Sequence, residues 1–352
     1  MAQGLCDLEV PSPVLEGTKE ALDQGRNIYT SAYGNFKLRD AIAKKQNDFY
    51  DQGVTADNVL VSSGATGAFY TTAMSLLNVG DEVVVFEPYY GYHVSTLQSI
   101  GCKIKFIKTT PPSYEIDFDY LKEQISSTTK AILICNPSNP SGKVYRRDEL
   151  ETLADIVVQN DLVVFSDEMY EHFIYDELKF TSALSIDKLK DHTVVISGFS
   201  KIYSITGWRL GYAISSKEVI DTASAFNDLI YVCPPAPLQQ GVLKGLQELP
   251  RSYYTNVAST HQVKRDKFIK ALNDAGLKAE YIKGAYYVLA DISKLEGSDD
   301  KEKVVTLLEK TGIAAVPARA FYSKSEGLNL ARFCFSKKQE ELNEAIKRVQ
   351  KL

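Results

Sequence analysis

The stretch Thr193-Val194-Val195-Ile196-Ser197-Gly198-Phe199-Ser200-Lys201 runs from a β-branched apolar segment into a lysine. Arg209 follows eight residues later, inside Thr206-Gly207-Trp208-Arg209-Leu210-Gly211-Tyr212. An ammonium at the end of a buried strand loses its water, which is costly. The cost falls if the amine is partly deprotonated or bonded to a carbonyl, as in lysines that form Schiff bases. An arginine at the next turn points to an anion nearby. An imine-forming lysine beside a phosphate-holding arginine is what pyridoxal phosphate requires. Taken alone, the pair reads equally well as a strand-end lysine snorkelling to solvent beside a surface arginine.

Working outward, the same kind of run recurs at Val59-Leu60-Val61, Val83-Val84-Val85-Phe86, Ala131-Ile132-Leu133-Ile134 and Leu162-Val163-Val164-Phe165. Unbroken apolar strands separated by helical patterns predict an α/β fold, a largely parallel sheet covered on both faces. Each run leads into polar or aromatic residues. They are Ser62-Ser63-Gly64-Ala65-Thr66, Glu87-Pro88-Tyr89-Tyr90, Asn136-Pro137-Ser138-Asn139-Pro140-Ser141-Gly142, Ser166-Asp167-Glu168-Met169-Tyr170 and Lys201 itself. Ligands of open α/β sheets bind beyond the carboxyl ends of the strands. Five such ends predict one composite site.

The chain has 352 residues, 44% hydrophobic, enough for a large core and two subdomains. With 24% charged residues and a net charge of −5, a general nucleic-acid-binding surface is not expected. No apolar run approaches the roughly 20 residues that cross a bilayer, and Met1-Ala2-Gln3-Gly4 does not begin a signal peptide. Cys6, Cys102, Cys135, Cys233 and Cys334 lack CxxC spacing; three lie in apolar strand-like contexts and read as core thiols of a reducing compartment, so a cytoplasmic protein is expected. His93, His172, His192 and His261 are too dispersed for a metal cluster, and no metal is expected. From about Arg251 to Ala275 the pattern predicts a long amphipathic helix. Strands are predicted at Tyr286-Tyr287-Val288-Leu289 and Ala331-Arg332-Phe333-Cys334-Phe335.

These motifs together resemble the class I/II aminotransferases, fold-type-I enzymes that depend on pyridoxal phosphate. The likeness runs from Gly4 to the C-terminus, and Gly198-Phe199-Ser200-Lys201 through Arg209-Leu210-Gly211 fits the family's lysine-attachment signature. It implies a large cofactor domain over residues 22–249 and a smaller α+β domain from residues 1–21 and 250–352. Lys201 is implied to carry the cofactor as a Schiff base and to shuttle the proton between Cα and C4′. Asp167 is implied to face the pyridine nitrogen and keep it protonated. Tyr170 and Asn139 are implied to bond the phenolic oxygen, and Tyr90 to stack on the ring. Gly64, Ala65 and Thr66, opening a helix, would receive the phosphate with Arg209. Tyr29 matches a tyrosine that reaches the neighbouring subunit's phosphate, which implies a homodimer with shared active sites. Arg332 matches the clamp for the substrate α-carboxylate, with Asn139 and the N-terminal Gly4 beside it.

Two departures stand out. Gly198 occupies the place where many relatives carry a phosphate-binding serine, so either Ser197 or Ser200 substitutes or the contact is absent. The arm that usually precedes Gly4 is missing, which points to a truncated or mis-started reading frame and an altered interface. For substrate, the resemblance to the kynurenine, glutamine and methionine branch implies a large neutral, sulfur-containing or aromatic L-amino acid and a 2-oxo acid. Tyr231 lies where that branch places an aromatic residue from the other subunit into the pocket. A lysine at the position of Thr66, which aids acidic side chains in an aspartate-using branch, is absent. The alternatives are a cysteine-S-conjugate β-lyase, an aspartate-type aminotransferase and, from a different class, an effector module of a regulator.

Overall fold

The computed structural model describes residues 1–325 and 328–352. Its main sheet has seven strands: β1 (Val59–Ser63), β2 (Glu82–Glu87), β3 (Lys103–Lys108), β4 (Thr129–Cys135), β5 (Val163–Asp167), β6 (Thr193–Gly198) and β7 (Leu210–Ile214). Their order is β1-β7-β6-β5-β4-β2-β3. Five of these are the apolar runs of the sequence. The other two, β3 and β7, lack that signature for different reasons. Lys103, Lys105 and Lys108 interrupt β3, as suits a strand at a sheet edge, where lysines discourage pairing with another chain. β7 starts at the residue after Arg209 and runs antiparallel to both neighbours, β1 and β6. The expectation of a largely parallel sheet therefore holds for every strand of this sheet but β7.

The described helices are α1 (Ser12–Asp23), α2 (Phe36–Tyr50), α3 (Gly64–Leu76), α4 (Gly91–Ile100), α5 (Phe118–Gln124) and α6 (Arg147–Gln159), followed by α7 (Lys217–Tyr231) and α8 (Ala236–Glu248). Alternation along β2 shows how they cover the sheet. Val83 and Val85 join Phe69 of α3 and Leu97 of α4, whereas Val84 and Phe86 join Leu153 and Val157 of α6. Successive strand side chains point to opposite faces, so both faces are buried.

The predicted long helix is α9 (Arg251–Asp274). It leads to a second, three-stranded sheet of β8 (Tyr287–Asp291), β9 (Val316–Pro317) and β10 (Leu330–Cys334), with β10 in the middle and all pairings antiparallel. α10 (Asp300–Thr311) and α11 (Gln339–Val349) complete the chain. The N-terminal residues return to this sheet, since the Cys334 N–H donates to the Met1 carbonyl at 2.8 Å. A bidentate ion pair from Arg265 of α9 to Asp176, at 2.9 and 2.7 Å, fastens α9 to the loop beyond β5.

Candidate active site

Ala65, Thr66, Tyr90, Asn139, Asp167, Tyr170, Ser200, Lys201 and Arg209 all line one cavity of about 380 Å³. It lies at the carboxyl ends of the parallel strands, where the strand-end motifs converge.

Lys201 follows the turn after β6 and donates from Nζ to the Gly4 carbonyl at 3.0 Å. Burial pushes its pKa below the ordinary lysine value. That is the direction a nucleophilic amine needs, because only the neutral form attacks a carbonyl. Arg332, central in β10 and 8% exposed, donates from Nη1 to Asn139 Oδ1 at 2.9 Å and from Nη2 to the Ala2 carbonyl at 3.0 Å. The rings of Tyr287 and Phe321 lie 4.4 and 4.9 Å from its guanidinium carbon. Its Nε is buried with no hydrogen-bond partner. A buried guanidinium N–H left unpaired is a donor suited to a carboxylate.

Asp167, the last residue of β5, accepts the Met169 N–H on Oδ1 at 3.0 Å. Its Oδ2 is 2.8 Å from Nε2 of His93, so the imidazole N–H donates to the carboxylate. The carboxylate is thereby oriented from two sides. His93 was not among the candidates read from the sequence. Its signal is its place one helical turn after Tyr90, at the start of α4, but pairing with Asp167 appears only in three dimensions.

The anion-binding end is built from close backbone approaches. Gly64 has φ +72°, and a Cβ there would fall 2.4 Å from Arg209 Nη2. Arg209 itself takes the left-handed conformation, φ +54°, after the short turn Thr206–Trp208. A Cβ on Gly211 would lie 2.2 Å from the Ala65 nitrogen, so only glycine lets β7 pass the start of α3. No side chain caps α3, which leaves its first-turn N–H groups for an anion. The same crowding explains the departure at Gly198: it pairs with Gly211, and a Cβ there would sit 2.9 Å from the Gly211 Cα. Of the two candidate substitutes, Ser200 lines the cavity. Ser197 does not; its hydroxyl lies behind the sheet end and donates to the Glu168 carbonyl at 3.3 Å.

Comparison with known proteins matches residues 1–349 to the family described as aminotransferase class I and II. The chain belongs to that family. An aspartate aminotransferase of Pyrococcus abyssi is 33% identical over 98% of this chain and 89% of its own length. A kynurenine–oxoglutarate transaminase of Saccharomyces cerevisiae, named as probable, is 29% identical over 100% of this chain and 86% of its own. The solved structure of YbdL from Escherichia coli, described as having a methionine aminotransferase function, superposes with a TM-score of 0.95. It is 29% identical and covers 100% of this chain and 92% of that one. Members of this family use pyridoxal 5′-phosphate, and the fold-type-I expectation stands.

In this aminotransferase the cradle of Gly64, α3 and Arg209, the oriented Asp167 and the depressed Lys201 fit that cofactor's phosphate, ring and aldehyde. Gly4, Gly64, Arg332, Tyr29 and Tyr231 do not line the cavity of their own chain; Gly4 and Arg332 adjoin it through their bonds to Lys201 and Asn139, and Gly64 packs against Arg209. Tyr29 is 79% exposed, and the Tyr231 ring packs 3.3 Å from the Cβ position of Gly67 on α3.

Immediately behind the site, Glu168 Oε1 accepts from Ser166 Oγ and the Ala183 N–H, both at 2.9 Å, while Oε2 is buried without a partner. Burial pushes its carboxyl from the ordinary 4.5 up to about 8. The folded state thus holds a proton that the unfolded chain releases, so stability is present below about 4.5 and is lost as pH rises towards about 8. Glu168→Gln keeps the neutral shape and should flatten the dependence of melting temperature on pH across that window. An unchanged slope would place the titration elsewhere.

Proposed function

We propose that this enzyme moves the α-amino group of a large neutral, sulfur-containing or aromatic L-amino acid to a 2-oxo acid. The observation that carries the reading is the distribution of cations. Among the described residues, Lys201 and Arg209 are the lysine and arginine lining the cavity, and Arg332 stands behind Asn139. With Lys201 and Arg209 committed to the cofactor and Arg332 to the α-carboxylate, a second carboxylate would be buried unpaired, at a cost of several kcal/mol. Phe69, Tyr92 and Met169 on the same walls favour apolar side chains.

Each residue then has a task. Lys201 anchors the cofactor and afterwards carries the proton between Cα and C4′. Arg209, with the N–H groups of Gly64, Ala65 and Thr66, holds the phosphate, and Ser200 adds a hydroxyl. Asp167, oriented by His93, keeps the ring nitrogen protonated. Asn139 and Tyr170 bond the phenolic oxygen, and Tyr90 stacks on the ring. When bound, pyridoxal phosphate supplies the electron sink for the pair released at Cα. Gly4 and Arg332 orient the substrate carboxylate. Arg332→Lys should weaken every amino and 2-oxo acid alike, roughly 10- to 100-fold, because it loses a bidentate charge-assisted contact. Selective loss of one substrate would place Arg332 at the side chain instead.

The second reading, an aspartate-type enzyme, is supported by the name of the Pyrococcus relative. A stopped-flow half-reaction screen of the twenty amino acids decides between them. Methionine, glutamine or aromatic donors should react fastest; aspartate in first place would overturn the proposal. A cysteine S-conjugate added to the screen distinguishes β-elimination, which yields pyruvate and thiol, from transfer.

The functional unit we propose is a cytoplasmic homodimer with shared sites. Ile28 and Tyr29, 81% and 79% exposed, adjoin the end of α7 through a Thr30 N–H bond to Cys233 Sγ at 3.4 Å, near Ile230 and Val232, 43% and 42% exposed. Such an apolar surface suits a second copy that receives Tyr29 and Tyr231. The five free thiols support a reducing compartment, and no described helix is long and apolar enough to cross a membrane.

A further inference from the structure

The loop that carries Lys201 is held from below by the first turn of α9. Tyr253 Oη donates to the carbonyl of Ile202, the residue after Lys201, at 2.7 Å. The hydroxyl of Tyr254 is 2.7 Å from that of Tyr203, and the ring of Tyr203 stacks on Phe199 at 5.6 Å and 18°. Phe199, Tyr203 and Tyr254 are all buried, so the Tyr203–Tyr254 bond works where water does not compete, while Tyr253 is half-buried. Above the loop, the Ser204 hydroxyl bonds the Cys6 carbonyl and accepts the Leu8 N–H at 3.2 Å. The lysine thus stands on a short bridge between the N-terminal segment and α9, the helix that leads to the second sheet.

We propose that Tyr253 and Tyr254 are positioning residues: they hold the 199–204 loop so that the seating of α9 sets how deeply the Lys201 amine lies in the site. Neither tyrosine lines the cavity, and the proposal rests on Lys201 being the cofactor's anchor, as argued above. After burial, the groups with the largest influence on Lys201 are Cys6, Cys334, Arg209 and Asp167, from the N-terminal segment, β10, the turn before β7 and the end of β5. None belongs to α9. Burial is the main cause of the lowered Lys201 pKa, so a looser loop that lets the amine rise towards water returns it towards the ordinary value.

The test uses cofactor-free full-length protein and the variants Tyr253→Phe and Tyr254→Phe, which keep the rings and remove one hydroxyl each. Pyridoxal phosphate is added, and the rate at which its absorbance shifts is followed from neutral to alkaline pH. In that step the neutral amine condenses with the aldehyde carbon, the C–N bond forms and one water leaves. Both variants should show a rate profile whose midpoint lies about half a pH unit or more above the parent's, the scale of one hydrogen bond. Capture at neutral pH should slow about threefold. A midpoint unchanged in both variants, with only a lower melting temperature, overturns the proposal and leaves the tyrosines as packing. Borohydride fixation followed by peptide mapping separates this from failure of the anchor itself: label absent from Lys201 in the parent would refute the anchor, not the tether.

Discussion

Lys201→Ala should abolish transamination and leave no cofactor that borohydride can fix to the chain. The parent protein should be yellow, and borohydride should bleach it. Two losses combine in the variant. The amine that donates to Gly4, largely withdrawn from water and lowered in pKa, is the covalent anchor in the function proposed above. The same nitrogen is proposed as the base for the Cα proton, and general acid–base catalysis alone contributes about 10²- to 10⁴-fold. Turnover should therefore fall by at least that factor, with the cofactor held only by its phosphate and ring contacts. Absorbance spectra and single-turnover rates measure both effects. Appreciable turnover in Lys201→Ala would remove Lys201 from the chemistry.

Asp167→Ala should slow Cα deprotonation by about 10²- to 10³-fold, the scale of losing one preorganised charge in a water-poor site. The carboxylate is held by the Met169 N–H and by His93, so its charge is fixed before any substrate arrives. Removing it takes away the counter-charge for a protonated ring nitrogen and leaves His93 Nε2 without its partner. Asp167→Asn separates the two roles, since the amide retains a hydrogen-bonding group without the charge. Half-reaction rates near the parent's in Asp167→Ala would show that another group keeps the ring protonated.

Much of the site was legible because it violates rules that ordinary strands obey. A lysine just beyond β6 is costly without a partner, and that cost marks Lys201, while Arg332 is marked by the resemblance and its cost inside β10 agrees with it. Asp167 ends a run of buried apolar residues and Asn139 lies in the loop after another, but their roles are legible only through the resemblance to the aminotransferases. His93 could not be placed, since four scattered histidines carry no pattern and its partner lies 74 residues away. β3 is not legible because an edge strand rich in lysine has no continuous apolar signature, and β7 because its short run follows the Thr206–Arg209 turn without a break. The tyrosine tether under Lys201 had no sequence signal at all. Tyr253 and Tyr254 sit in an ordinary amphipathic helix, and only tertiary packing brings them to the loop.

The reversed direction of β7 has a consequence for what the chain can tolerate. Because β6 and β7 form a hairpin, with Gly198 opposite Gly211, both arms of the turn open onto the same side of the sheet. A parallel strand would have needed a helical crossover and would have begun on the far side. On the proposed function, the hairpin lets one loop present an amine and a guanidinium to opposite ends of a single small molecule, so the loop acts as a ruler. Insertions elsewhere on the surface, between α6 and β5 for instance, would only lengthen a connection. A single residue added between Lys201 and Arg209 would change the spacing of the two charges and take both out of register together.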